Sequence, residues 1–188
     1  MSEIKKKHNL KKIYCVPTNI SNSKKKFFAT SQQRIKMLEV CLDNKNYIID
    51  NREIKRGGIS YTFETLNEIY SENPNSKLYL ILGLDKLNSI IEWKDFEKIF
   101  EICNIIVSLR YDINEPNKNI VMHKLLQPLI LSDLTIFHRH PYGRIYIEKT
   151  SIVNISSTEI RKKLKNNTSI SGSVDQKLEE WLLENKIY

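Results

Sequence analysis

A chain of 188 residues with a formal net charge of +8 is long enough to bury one real core and too short for two comfortable ones, so a single domain, 1–188, is expected. The lysines are spread along the chain, with runs only at Lys5–Lys7 and Lys24–Lys26, so the charge reads first as a solvated surface that suits small anions as well as nucleic acid. Cys15, Cys41 and Cys103 are odd in number and widely separated in apolar runs, which argues against a disulfide framework or a Cys-x-x-Cys metal site. Reduced, buried thiols are expected. No apolar run is long enough for a signal peptide or a membrane span, so the expected compartment is the cytoplasm.

The first element is KKIYCVP, 11–17, a short apolar run of β-favouring side chains stopped by Pro17, which reads as a buried strand. Thr30 with Gln33 forms a capping box for a helix whose apolar face is Ile35, Leu38, Cys41 and Leu42. NYIIDNREI returns to strand. A Gly57-Gly58 loop leads into a helix from about Thr62 to Glu72, with Phe63, Leu66, Ile69 and Tyr70 on one side and Pro74 past its end. SKLYLIL, 76–82, is apolar nearly throughout, as a strand covered on both faces must be, and it stops at Gly83.

A helical region follows over 85–102, then the strand NIIVSLR at 104–110. Residues 111–143 are polar and carry no clear pattern. RIYIEK is a strand, ISST opens a helix, and a last amphipathic helix holds Val174, Leu178, Trp181, Leu182 and Ile187. Strand and helix alternate with no hairpin signature. The fold class is therefore α/β, a Rossmann-like parallel sheet flanked by helices. Ligands in such a sheet sit beyond the carboxyl ends of the strands, which directs attention to the loops after Pro17, Arg52, Leu82, Arg110 and Lys149.

The stretch NISSTEIRKKL, Asn154 to Leu164, has more hydroxyls than a helix start needs. Ser156 with Glu159 serves as a capping box, leaving Ser157 and Thr158 in the first turn. Arg161 can share a face with Ser157. Unpaired N–H groups, the positive end of the helix dipole, hydroxyls and a guanidinium make a phosphate site without a glycine-rich loop; the plain alternative is a well-capped surface helix. In ILGLDKLNSIIEW, Gly83 allows close approach of a ligand, Asp85 can accept from a ribose hydroxyl, and Trp93 offers a stacking face. The plain alternative has a turn, an N-cap and a core tryptophan. In GGISYTFETL, Ser60, Tyr61 and Thr62 again exceed a cap; otherwise they are a capped helix and a packed tyrosine.

In this order, GGISYTFETL, LYLILGLDKLNSIIEW, NIIVSLR, RIYIEKTSIVNISSTEIR and LEEWLLENKIY resemble the bacterial nicotinate-nucleotide adenylyltransferases of the nucleotidyltransferase superfamily, from about Lys11 to Tyr188. The resemblance implies transfer of the adenylyl group of ATP to nicotinate mononucleotide, giving nicotinate adenine dinucleotide and pyrophosphate in NAD biosynthesis. It implies ATP contacts at Ser156, Ser157, Thr158, Arg161, Gly83 and Arg110, and nicotinate mononucleotide contacts at Tyr61, Thr62, Asp85 and Trp93. Mg2+ would screen the triphosphate. Bringing two anions together makes positioning and positive fields the main catalytic demand. The expected partners are these two small molecules, with no nucleic acid and no membrane, and with a homo-oligomer left open.

The same resemblance implies a first strand, a glycine-rich turn and an H-x-G-H sequence ahead of what is seen here, and these are expected to be absent. No catalytic residue is assigned, and His8, His123, His138 and His140 are expected on the surface or in loops. Two alternatives stay open on the sequence. One is a degenerate or fragmentary homologue with little activity. The other is a different nucleotidyltransferase, such as a phosphopantetheine adenylyltransferase, which shares ISST-like hydroxyls but does not call for SYTFETL or Trp93. A nucleic-acid-binding protein would need aromatics interleaved with Lys or Arg, and no such stripe is visible.

Overall fold

The computed structural model describes residues 1–22, 27–42, 46–111, 122–151 and 156–187; Lys24–Lys26, and Asn154 and Ile155 ahead of the ISST helix, lie outside the described residues. In chain order the elements are α1 (Ser2–Lys7), β1 (Ile13–Cys15), α2 (Ser31–Cys41), β2 (Tyr47–Ile49), α3 (Arg52–Arg56), α4 (Thr62–Glu72) and β3 (Leu78–Gly83). Next come α5 (Leu84–Ser89), α6 (Phe96–Ile102), β4 (Cys103–Tyr111), β5 (Ile130–Leu131), α7 (Leu134–Arg139), β6 (Ile145–Ser151), α8 (Ser157–Lys165) and α9 (Gln176–Glu184). They form two compact units, one of Met1–Ser60 with Val153–Tyr188 and one of Tyr61–Ile152.

In the first unit β1 and β2 pair in parallel, with Ile13 opposite Tyr47 and Cys15 opposite Ile49. Parallel neighbours need a crossover, and α2 supplies it. Its entry is the predicted capping box: Thr30 Oγ1 accepts from Gln33 N–H at 3.2 Å and Gln33 Oε1 accepts from Thr30 N–H at 2.8 Å. α2 packs against α9, where Leu182 is buried.

Three sequence expectations change in this unit. The N-terminal stretch forms α1, whose Ile4 is buried together with His8, so this histidine is not on the surface. NYIIDNREI is strand only to Ile49, because Asp50 accepts from Arg52 N–H at 3.0 Å and from Arg52 Nε at 2.7 Å. That turn starts α3 and ends the strand. Cys41, expected buried, is exposed at the end of α2, and Cys15 is half-buried; their apolar neighbours in sequence do not lie on all sides of them.

The second unit holds a four-stranded parallel sheet of order β3-β4-β6-β5. Its core lies along β4, where Cys103, Asn104, Ile105, Ile106 and Val107 are fully buried, with Leu87, Ile90, Leu126, Phe137 and Ile145 around them. Each fully buried aliphatic side chain here stabilises the fold by about 1.5–3 kcal/mol. Burial also pushes the Cys103 thiol up to about 12, so this cysteine behaves as a small apolar side chain.

β3, read as covered on both faces, is half-buried throughout, because it is an edge of this sheet and β4 takes the central place. The helical region 85–102 is broken into α5, a 3-10 turn at Ile90–Glu92 and α6, with Asp95 at φ 55° in the break. The unpatterned region yields β5 and α7, the latter capped by Asp133 Oδ1 accepting from Ile136 N–H at 2.8 Å. Among the described residues, no helix is long and apolar enough to cross a membrane.

Candidate active site

At the start of α8 one hydroxyl does the capping. Ser156 has extended backbone, φ −113° and ψ 140°, and its Oγ accepts from Glu159 N–H at 3.1 Å. Ser157 and Thr158 are then left in the first turn, both exposed, beside N–H groups that have no helical partner. The Thr158 hydroxyl accepts from Arg161 at 3.1 Å, so the arginine joins Thr158 rather than Ser157. Hydroxyls, helix N-terminus and guanidinium thus meet in one turn, a combination that favours an oxyanion.

Sequence reasoning missed the other partner of Arg161. Its Cζ lies 4.4 Å from the ring centroid of Phe28, in the loop between β1 and α2. One residue earlier, Arg34 of α2 lies over Phe27 at 4.1 Å and donates to Thr18 O at 2.6 Å and Ser31 Oγ at 3.1 Å. Burial lowers this guanidinium below its ordinary value. The available signal was two adjacent phenylalanines in a polar loop after the first strand, where apolar residues have no core to enter.

In the second unit, Gly83 ends β3 at φ −78° and ψ 159°, a conformation any residue adopts. Its lack of a side chain matters for room. A Cβ there would stand 2.7 Å from Asp85 Oδ1. Asp85 is not the N-cap of α5, which is Gly83; it sits exposed in the first turn. Along the carboxyl ends of the strands Gly83 is opposite Ser108, and Arg110 is opposite Thr150. Arg110 is placed by its backbone, its side chain lying outside the described residues. Ser108 Oγ and Thr150 Oγ1 share a hydrogen bond of 3.0 Å. Their position at strand ends was the only sequence signal for this pair.

Tyr61 and Thr62 open α4, with Tyr61 at the N-cap position making no side-chain cap. The Lys94 ammonium lies 4.3 Å from the Tyr61 ring centroid and donates to Glu64 Oε1 at 2.9 Å, a bond that raises its pKa. The Trp93–Lys94 segment is thereby tied to the start of α4. Trp93 is half-buried and packs against the core, touching the clusters around Ile105 and Leu66. The core reading of this tryptophan is therefore partly right, since the residue is packed but not fully buried.

His138 belongs elsewhere. Its Nδ1 is 3.0 Å from Tyr79 Oη, and Lys77 donates to its carbonyl, all near the amino end of β3 and away from Gly83. Among the described residues, no group of three or more His, Cys, Asp or Glu side chains could hold a metal ion.

A family model described as cytidylyltransferase-like matches residues 1–163. A "Probable nicotinate-nucleotide adenylyltransferase" of Psychromonas ingrahamii is 32% identical, covering 99% of this chain and 87% of that protein. A protein of the same description from Buchnera aphidicola subsp. Schizaphis graminum is 30% identical, over 96% of this chain and 83% of its own length. Among solved structures, the Plasmodium falciparum nicotinic acid mononucleotide adenylyltransferase complexed with NaAD superposes with a TM-score of 0.66, over 98% of this chain and 87% of that one. At 17% identity it speaks for the fold.

Proposed function

The chain belongs to the cytidylyltransferase-like family and, within it, to the nicotinate-nucleotide adenylyltransferases, and on that premise we propose that it transfers the adenylyl group of ATP to nicotinate mononucleotide. A phosphate oxygen of the mononucleotide attacks the α-phosphorus of ATP. The bond from that phosphorus to the α,β-bridging oxygen breaks, pyrophosphate leaves with that oxygen, and nicotinate adenine dinucleotide forms. The observation that carries this reading is the likeness to the Psychromonas protein over nearly the full length of both chains.

For the ATP end, the proposed contacts are Ser157, Thr158 and Arg161, with Ser156 shaping the turn that offers them; Gly83 and Arg110 line the strand ends. This is supported by the exposed hydroxyls and the guanidinium in one turn of α8. For the mononucleotide, Asp85 accepts from the ribose, Trp93 stacks on the pyridine ring, and Tyr61 and Thr62 stand near its carboxylate. The tie between the Trp93–Lys94 segment and the start of α4 supports that grouping. Magnesium enters with ATP as part of the substrate and screens its phosphates. A cytoplasmic location belongs to the same proposal.

The test is pyrophosphate release by the purified protein with MgATP and, in separate reactions, nicotinate mononucleotide, nicotinamide mononucleotide or phosphopantetheine. Release with the pyridine substrates is expected. Release with phosphopantetheine alone, or with none, refutes the proposal. The site assignment is tested by Arg161→Ala beside Trp93→Ala: the first raises the KM for ATP and the second that for the mononucleotide. Identical effects of the two count against the assignment.

A further inference from the structure

Phe28 is 74% exposed, yet one face of its ring is not in contact with solvent alone, because the Arg161 guanidinium lies on it at 4.4 Å. The neighbouring pair, Phe27 with Arg34, is similarly close at 4.1 Å but has a different use. Arg34 also donates to Thr18 O and Ser31 Oγ, so it ties the loop after β1 to α2. Arg161 donates to Thr158 Oγ1 only, among the described residues. A guanidinium with its Cζ over a ring and one N–H given to Thr158 keeps its other donors for an oxyanion.

We propose that Phe28 is a positioning residue for ATP, a ring platform that fixes Arg161 with its donor edge free for the triphosphate. The inference rests on the proposed ATP contact of Arg161. A long arginine side chain otherwise loses rotamer freedom at each binding event, and the ring completes part of that ordering beforehand. The attraction is between a cation and the negative face of an aromatic ring, so an aliphatic side chain of similar bulk does not supply it. Because Phe28 itself is mostly exposed, its removal leaves the core untouched.

The experiment compares Phe28→Ala, Phe28→Leu and Phe28→Trp, alone and combined with Arg161→Ala. The readouts are KM for each substrate, titration with a non-hydrolysable ATP analogue, and the thermal midpoint. Phe28→Ala and Phe28→Leu are expected to raise the KM for ATP and weaken the analogue about two- to fivefold. Phe28→Trp keeps wild-type values, and the KM for the mononucleotide and the midpoint do not move. In the Arg161→Ala background, Phe28→Ala adds nothing. A Phe28→Leu protein equal to wild type, or a Phe28→Ala loss that persists without Arg161, overturns the inference. If the unaltered protein transfers no adenylyl group, the function proposal fails instead. The analogue titration then still decides, and equal affinities of wild type and Phe28→Ala, or no binding by either, overturn the platform.

Discussion

Gly83→Ala separates the room a glycine leaves from the backbone freedom it brings. At φ −78° and ψ 159° alanine fits without strain, and its stiffer unfolded chain favours folding by about 0.4–1 kcal/mol. The new Cβ would lie 2.7 Å from Asp85 Oδ1, so the carboxylate has to turn away. Asp85 is exposed and can turn, at about 0.5–1.5 kcal/mol for leaving its rotamer. The two terms cancel to within about 1 kcal/mol, and the thermal midpoint moves by no more than about 4 °C. Binding responds differently. A displaced carboxylate would lose the charged hydrogen bond proposed between Asp85 and the ribose, worth about 1.5–3 kcal/mol, or roughly ten- to a hundredfold in the KM for the mononucleotide. The assay is the thermal midpoint together with both KM values, for Gly83→Ala, Asp85→Ala and the double variant. Gly83→Ala should add nothing to the KM for the mononucleotide once Asp85 is alanine. A further rise of that KM in the double variant, or a large fall in midpoint with that KM unchanged, would refute the reasoning.

Ser156→Ala removes the acceptor for Glu159 N–H and should destabilise the protein by about 0.5–2 kcal/mol. Ser156→Asp should restore the thermal midpoint while weakening ATP through its added negative charge; failure to restore it would show that capping is not the role. His138 supplies a pH effect. Burial first, and the Lys77 charge second, hold its pKa below the ordinary 6.5, so the unfolded chain takes up the proton before the folded one. The stability of its neutral, Tyr79-bonded ring is complete above about pH 6.5 and declines as the pH falls through the folded-state value. Thermal midpoints at pH 7.5 and 5.5 should differ less in His138→Gln than in wild type, and an equal difference would remove His138 from the account.

Local signals carried much of this protein. The Thr30 capping box, the strands at Ile13–Cys15, Leu78–Gly83, Cys103–Tyr111 and Ile145–Ser151, and the helix opening at Ser156 are all written in residues a few positions apart. Such residues compete only with their neighbours for hydrogen bonds, so a cap or an apolar run read from sequence survives folding. The alternation of these elements was enough for a parallel α/β fold, and the order of motifs was enough for the family.

Tertiary structure decided what depends on partners far apart in the chain. Whether β3 or β4 is central is fixed by which strands pair: LYLILG of β3 is the more apolar sequence, yet it lies at the edge, and CNIIVSLRY of β4 lies inside the sheet. The fate of Cys41 turned on the direction of one helix face, and that of His8 on a helix too short for propensity to reveal. The same holds at the site: Phe28 beneath Arg161, and Lys94 between Tyr61 and Glu64, are contacts between distant residues. The sequence by itself determined which residues could hold an oxyanion or a ring. Only folding, by ordering chain segments whose approach costs loop entropy and is offset by packing, decided which side chains hold those residues in place.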